Sequence, residues 1–433
     1  MIRRRLKRPF EMRLPSRIPS LQLKLPLNLG RGSGEELVGL DIQPGFVAAV
    51  QARVNGSILA ERVAALPLPA DSMRDGEVMD EDAVSETLRE LFDGTGLSKH
   101  VRVGVANQRT VLRTLELPPV TDQKELAAAV NFQAQDQVPM PLNNAVMDFH
   151  PLGIVDTPAG PRQRVVLVAA QRDMIERLLT AVRRAGLTAK GVDLSAFALI
   201  RALYRRDPEQ TGRVLYLNVD GLTNLAIAEG TVCRFTRVVG SGLEGMAGEL
   251  AERRSIALSE ARALLAAVDL NAPVQVAQEL AAPQELDPEH GALDAGEPER
   301  ALEEGEHAQD AGESERAMSY EELAAVESAP VAQTAHSDAD LRTVLENGIR
   351  DISGEVRNSL DFHRSQDGGG EVSHVVMSGS AQDIPGFAET LQASLGVEVR
   401  CEQVGLLDQG LAETVSPHRL SVATGLATAE APQ

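Results

Sequence analysis

The sequence predicts an α/β protein built from two duplicated lobes, and three observations carry that reading. A run of three short strands followed by helices is written twice along the chain, the mark of an internal duplication. The 433 residues exceed what one compact core organises, so two or more domains are expected. No long βαβ series runs through the sequence, which disfavours a single dinucleotide-type parallel sheet.

The elements follow in order. Glu36–Ile42, Phe46–Val54 and Ser57–Leu68 read as three strands, joined by Gln43-Pro44-Gly45 and then Asn55-Gly56. Asn-Gly between two apolar runs is among the strongest short hairpin signals. Glu81–Phe92 is a helix with Leu88, Leu91 and Phe92 on one face. Val101–Ala106 and Val111–Leu117 are strands, and Asp122–Gln137 is a helix with Thr121 as its N-cap. Arg164–Ala170 is strand-like, and helices follow at Arg172–Ala185 and Asp193–Ala202. The layout then restarts. Val214–Val219, Asn224–Ala228 and Cys233–Val239 are short strands, followed by helices at Gly242–Arg254 and Ser259–Val268. A helix over Asp338–Ser365, a strand at His374–Met377, a Ser378-Gly379-Ser380 turn and a helix at Phe387–Ser394 complete the second half.

Composition narrows the function classes. A hydrophobic fraction of 43% with 24% charged residues is that of a soluble globular protein. Cys233 and Cys401 lie far apart with no His or Cys at ligand spacing, which argues against zinc and fits a reducing compartment. No run approaches the length of a spanning helix, and the N-terminus lacks a signal-peptide apolar core. The expectation is a cytoplasmic protein. Its net charge of −21 is unevenly placed. Residues 271–340 hold 18 Asp and Glu against two Arg, whereas residues 1–33 hold nine Lys and Arg against one Glu. The rest carries −13. Residues 271–335, rich in Ala, Glu, Gly and Pro, are expected to be a disordered acidic insertion. The basic residues 1–34 are expected to be a disordered tail, and residues 1–30 suit an anionic membrane surface, each basic side chain contributing about 1 kcal/mol there. No nucleic-acid partner is expected.

Three longer strings carry a family resemblance. DGEVMDEDAVSETLRELF, then VRVGVANQRTVLRTLELPPVTDQKELAAAVNFQAQDQVPMPLNNAVMDFHPLG, then VLVAAQRDMIERLLTAVRRAGLTAKGVDLSAFALIRAL resemble the PilM family of type IV pilus assembly proteins. VRNSLDFHRSQ, MSGSAQDIPGFAETLQASLGVEV and RLSVATGLA continue the likeness in order. The family is similar in fold to FtsA and actin. The resemblance therefore implies duplicated actin-like (RNase H-like) ATPase lobes about a nucleotide cleft, with a small FtsA-type inserted subdomain. It divides the chain into lobe 1 (35–73 and 162–212), the insertion (74–161) and lobe 2 (213–270 and 336–433), with the last helix packing back on lobe 1.

Such a fold holds ATP and Mg²⁺ with two β-turns and a glycine turn, where a Cβ would block close approach to phosphate. The resemblance places these at Asp41, Gln43 and Gly45, at Asn218, Asp220 and Gly221, and at Gly379 and Ser380. Asp41 can hold Mg²⁺ through water. Gln43 stands where the family has glycine, Ala48 where it has Lys, and Asn218 where it has Asp, and Pro44 lacks an N–H. These departures imply a degraded pocket. No acid stands out as a catalytic base: Glu244, in the region lining the cleft, is expected to be solvated, and His363 to be packing or solvent-exposed. No catalytic residue is assigned.

The family binds the short cytoplasmic N-terminal peptide of a membrane partner, PilN. The resemblance puts that groove between lobe 1 and the insertion, with Val103, Val105, Leu115, Leu117, Val130, Phe132 and Val138 as candidates and Pro139-Met140-Pro141 shaping a wall. The function implied is a scaffold at the inner face of the cytoplasmic membrane that couples PilN and the other inner-membrane pilus proteins to the motor. The alternatives are an active FtsA-like ATPase that slowly hydrolyses ATP, or a small-molecule kinase of the same fold. The broken phosphate turns count against both.

Overall fold

Strand β1 (Val38–Gln43) pairs antiparallel with β2 (Phe46–Asn55), and β2 with β3 (Ser57–Pro67). This computed structural model describes residues 36–428 apart from 56, 159, 206–211, 274–319, 367–368 and 414. The tight turn between β1 and β2 works because Gly45 takes a φ of +93°, open to glycine at no steric cost. A small hairpin, β4 (Met73–Arg74) and β5 (Glu77–Val78), leads into α1 (Glu81–Phe92). Asp80 caps α1 by accepting from the N–H groups of Asp82 and Ala83, which is worth about 1 kcal/mol. Its apolar face, with Val84, Leu88 and Leu91, is buried in the first core. Strand β6 (His100–Val105) then joins β1 in parallel.

The chain next leaves the sheet. β7 (Val111–Leu117), α2 (Gln123–Gln137), β8 (Ala145–Thr157) and β9 (Gly160–Gln171) form a three-stranded sheet in the order β7-β9-β8 with α2 on one face. Leu126, Val130 and Ala134 of α2 meet Leu115, Leu117, Val165 and Leu167 in a core of their own. The expected cap of α2 is corrected by one residue: Asp122, not Thr121, accepts from the N–H groups of Lys124 and Glu125. β8 had no sequence signal. Pro151 and Gly153 interrupt its alternation and sit at a bulge in its pairing with β9. Helix α3 (Arg172–Arg184) returns to the first sheet, followed by β10 (Thr188–Leu194) and α4 (Ser195–Leu203). Asp193 and Leu194, expected in a helix, instead end β10.

The second half repeats the first. β11 (Arg213–Val219), β12 (Thr223–Glu229) and β13 (Val232–Val239) are again an antiparallel meander. Helices α5 (Leu243–Arg254), α6 (Leu258–Ala266) and α7 (Tyr320–Ser365) follow, then β14 (Val372–Ser378), α8 (Phe387–Leu395) and β15 (Val399–Cys401). β14 joins β11 in parallel and β15 joins β14, as β6 and β10 do beside β1. The duplication is therefore one of sheet topology. A short β16 (Gly405–Leu406) crosses to β3, and α9 (Ser421–Ala427) packs against α4 and β1.

Two compact units are distinguished. Met1–Ala272 with Leu341–Gln433 contains all the sheets; in Pro273–Asp340 the described element is the first part of α7. The expected basic tail and residues 274–319 of the expected acidic insertion lie outside the described residues. Among the described residues no helix is long and apolar enough to cross a membrane, and both cysteines are free.

Candidate functional site

The β1–β2 turn places Asp41 on the last rungs of β1, 1% exposed. Its carboxylate accepts from Gln43 Nε2 at 2.7 Å. Gln43 thus folds back onto the neighbouring acid. Burial pushes the Asp41 carboxyl up to about 7 against the pull of that amide, and the Asp220 carboxyl adds to the rise.

The β11–β12 turn builds the facing half. Asn218 Nδ2 donates to Asp220 Oδ2 at 2.8 Å, and Ser380 donates to Asp220 Oδ1 through both its N–H and its hydroxyl at 2.7 Å. Burial raises the Asp220 carboxyl, while these hydrogen bonds draw it back. The Gly379 N–H donates to the His418 carbonyl, and the Ser378 hydroxyl donates to Ser421 Oγ at 2.6 Å. Asp41, Gln43, Gly45, Asn218, Asp220, Gly221, Gly379 and Ser380 therefore come together between the two sheets, with their polar groups turned on one another.

The two turns also touch. A Cβ on Gly221 would collide with the Pro44 carbonyl, so the β1–β2 and β11–β12 turns meet there. Beside them, Glu244 at the start of α5 is held by both guanidinium arms of Arg262 on α6, with Nε to Oε2 at 2.8 Å. A Cβ on Gly45 would stand 2.8 Å from Glu244 Oε2. The expectation of a solvated Glu244 is corrected: it is paired and set against the first turn. Sequence reasoning missed Arg262, for which no motif existed.

It also missed two polar groups that suit a ligand. Asn224 is 4% exposed, with neither amide atom hydrogen-bonded, and stands opposite Asn218 in the hairpin register. Ser195 Oγ is likewise unpaired and flanks Gly104 together with Asp41. Hairpin register alone would have linked Asn224 to Asn218. These orphans and the two acids fit a polar ligand. Among the described residues no cluster of three metal-ligating side chains is present. His363 is buried, its ring nitrogen 3.1 Å from Arg213 Nη1, and burial and then the nearby Arg213 and Arg234 lower its basicity.

The peptide-contact candidates divide sharply. Val103 and Val105 are in the core of the first sheet, and Leu115, Leu117, Val130 and Val138 are in the core beneath α2. Only Phe132 meets solvent, at 74% exposure. The six are thus buried rather than exposed: Val103 and Val105 in the first core, and Leu115, Leu117, Val130 and Val138 in the core beneath the helix that carries Phe132. A polar cavity of about 440 Å³ lies where Asn107, Gln108 and Thr110 face the end of β13 and Glu355 of α7.

Two lobes of one topology, joined about a buried cluster of turn residues and carrying a small inserted sheet, define an actin-like fold. Residues 39–223 match the family model described as "Type IV pilus assembly protein PilM". That stretch spans the first sheet's strands β1–β3, β6 and β10 and the inserted sheet. It is similar to a solved "PilM-PilN type IV pilus biogenesis complex", with 19% identity and a TM-score of 0.64 over 90% of this chain and 97% of that one. It is also similar to ethanolamine utilization protein EutJ from Carboxydothermus hydrogenoformans, at 14% identity and a TM-score of 0.45, covering 90% of this chain and 88% of that one. For MreB 5 of Spiroplasma citri bound to AMPPNP the values are 10% and 0.42, covering 90% and 94%.

Proposed function

We propose that this chain is a cytoplasmic scaffold of type IV pilus biogenesis, peripheral at the inner face of the membrane. In this reading it binds the N-terminal cytoplasmic peptide of PilN and links the inner-membrane pilus proteins to the motor, while its nucleotide cleft is degraded. The observation that carries the reading is the family match over 39–223, which spans lobe 1 together with the inserted sheet. The likeness to a structure of a PilM–PilN complex supports the partner. The Pro44–Gly221 contact and the Gln43–Asp41 bond support a cleft that does not turn over ATP. Phe132 is the contact residue favoured for the peptide, being a large exposed apolar side chain on the inserted subdomain. The basic residues 1–30 support a membrane-surface role through their charge.

A second reading, an ATP-binding and slowly hydrolysing relative of FtsA, draws on the unpaired Asn224 amide and the two buried acids. Titration with a fluorescent ATP analogue, with and without Mg²⁺, alongside a synthetic PilN peptide from the same genome separates the two. The scaffold reading expects saturable peptide binding, weakened about tenfold by Phe132→Ala, and no saturable nucleotide binding. Mg²⁺-dependent micromolar nucleotide binding would establish the second reading. Nucleotide binding without peptide binding would sink the pilus assignment.

A further inference from the structure

The chain leaves the first sheet for the inserted one at residues 106–110 and returns at Gln171, and side chains tie these crossings into one root. Asn107 Nδ2 donates to the Asp75 carbonyl at 2.5 Å and to Glu77 Oε1 at 3.3 Å. Its Oδ1 accepts from the Arg109 N–H at 2.7 Å. Arg109 pairs with Glu77 and donates to Gln171 Oε1 at the end of β9. The β4–β5 hairpin belongs to this root, pressed so closely that a Cβ on Gly76 would collide with the Ala106 carbonyl.

The root faces residues 240–242 of lobe 2. A Cβ on Gly240 would stand 3.4 Å from Gln108 Nε2 and 3.5 Å from Asp75 Oδ1. The other side of the same segment rests on the β11–β12 turn. Thr223 Oγ1 donates to the Ser241 carbonyl at 2.5 Å, and the Leu243 N–H donates to the Asp220 carbonyl at 2.8 Å. A Cβ on Gly242 would collide with the Gly221 carbonyl. Three residues thus separate the turn that holds Asp220 from the root of the inserted sheet. Beside them lies the polar cavity of about 440 Å³, with the Thr110 hydroxyl buried and without a hydrogen-bond partner. Packed interiors leave few voids larger than a water molecule. This space lets the root shift against lobe 2 while the segment stays tight on the turn.

We propose that residues 240–242 are a mechanical relay: the position of the β11–β12 turn sets the position of the root, and through it that of the inserted sheet. Glycine at 240 and 242 brings the backbone within reach of both neighbours and leaves no side chain there to absorb a shift. The root is braced by the Asn107, Arg109, Glu77 and Gln171 contacts, so it moves as a unit. Such coupling is reciprocal. Whatever seats on the inserted sheet biases the turn, and whatever the turn holds biases the sheet. The relay is a property of the fold and stands apart from the peptide reading, so either can fail alone.

Amide exchange on the full chain tests the relay from each end. Thr223→Val removes the bond to Ser241 and keeps the shape of the side chain. Exchange of the Leu243 amide should quicken about fivefold, the loss of one hydrogen bond. The Arg109 and Thr110 amides, which donate to Asn107, should quicken by at least about threefold with it, while β15 at the far edge of that sheet is unchanged. Thr223→Ser keeps the hydroxyl and should leave Arg109 and Thr110 as in the wild type. From the other end, Asp75→Cys with Gly240→Cys in a Cys401→Ser background should close a disulfide under mild oxidant. Closing it should slow exchange of the Asp220 amide by at least about threefold relative to the reduced chain. Should Thr223→Val fail to fold, the disulfide decides alone. Quickening that stops at Leu243, or that reaches β15 equally, would overturn the proposal. So would a disulfide that does not form, or one that forms and leaves Asp220 exchange unchanged.

Discussion

Asp41 is a buried carboxyl whose hydrogen-bond partner is the neutral amide of Gln43. Burial holds its proton on to about pH 7, and the neighbouring Asp220 works in the same direction. The consequence for stability follows by linkage. Below about pH 4 the carboxyl is protonated whether the chain is folded or not. As pH rises, the unfolded chain releases the proton near the ordinary carboxyl value of 3.8, while the folded chain keeps it until about 7. Native stability is therefore lost across that window. Asp41→Asn keeps an acceptor for Gln43 and cannot ionise. Melting temperatures measured from pH 4 to 8 should show the variant gaining on the wild type as pH rises to about 7, then holding a constant lead. Parallel profiles would mean that Asp41 is already ionised in the fold and faces a cation. Asn224 makes the complementary point at this scale: an interior amide with no partner costs about 1–3 kcal/mol, so its position between the lobes is a cost borne for something other than packing.

The inserted sheet shows how far patterning reaches at the level of elements. α1, α2 and α3 were legible from apolar residues at helical spacing, and Asp80 and Asp122 cap the first two. β8 was not legible, since Pro151 and Gly153 break its alternation and register comes from β9. The same limit applied to the site. Asp41, Asp220 and Gly379 were placed by the family resemblance, and they lie at the end of β1, at the β11–β12 turn and just after β14. That Pro44 would meet Gly221, or Arg262 would clasp Glu244, depends on how two lobes close, which no local pattern records. The peptide candidates fell between these cases: the strands were right, but which side of each strand meets solvent depended on α2. Two substitutions make that distinction measurable. Leu115→Ala opens a cavity under α2 and should cost about 2–5 kcal/mol in urea unfolding. Phe132→Ala should change stability by no more than about 0.5 kcal/mol, since its ring is already in water. A large cost for Phe132→Ala would mean that α2 packs against more of the chain than its exposure indicates.

Residues 415–428 bind the molecule together at the largest scale, for they fasten to both lobes. On the lobe 2 side, Ser421 meets Ser378, the His418 carbonyl accepts from Gly379, and His418 and Ser416 donate to Asp383. Burial alone would raise the Asp383 carboxyl, but those two donors hold it below its usual range. On the lobe 1 side two buried arginines grip the end of α9. Arg102 donates to the carbonyls of Leu426 and Thr428, and Arg201 donates to the Gly425 carbonyl and to Asp193 at 2.5 Å. The last helix of the second half is thus an element of the first half's core, which is how one chain makes two similar lobes cohere. Arg201 is the strongest test of this. Arg201→Ala leaves Asp193 buried without its cation and frees the Gly425 carbonyl, a loss of about 3–5 kcal/mol. Arg201→Lys keeps the charge but not the fork, and should fall between. If the strap couples the lobes, amide exchange in α9 and in the 378–383 turn of lobe 2 should quicken together in Arg201→Ala, although that turn lies across the strap from the substitution. Exchange that quickens only around α4 and β10 would show instead that Arg201 stabilises lobe 1 alone and that the lobes are held by the turn contacts at Pro44 and Gly221.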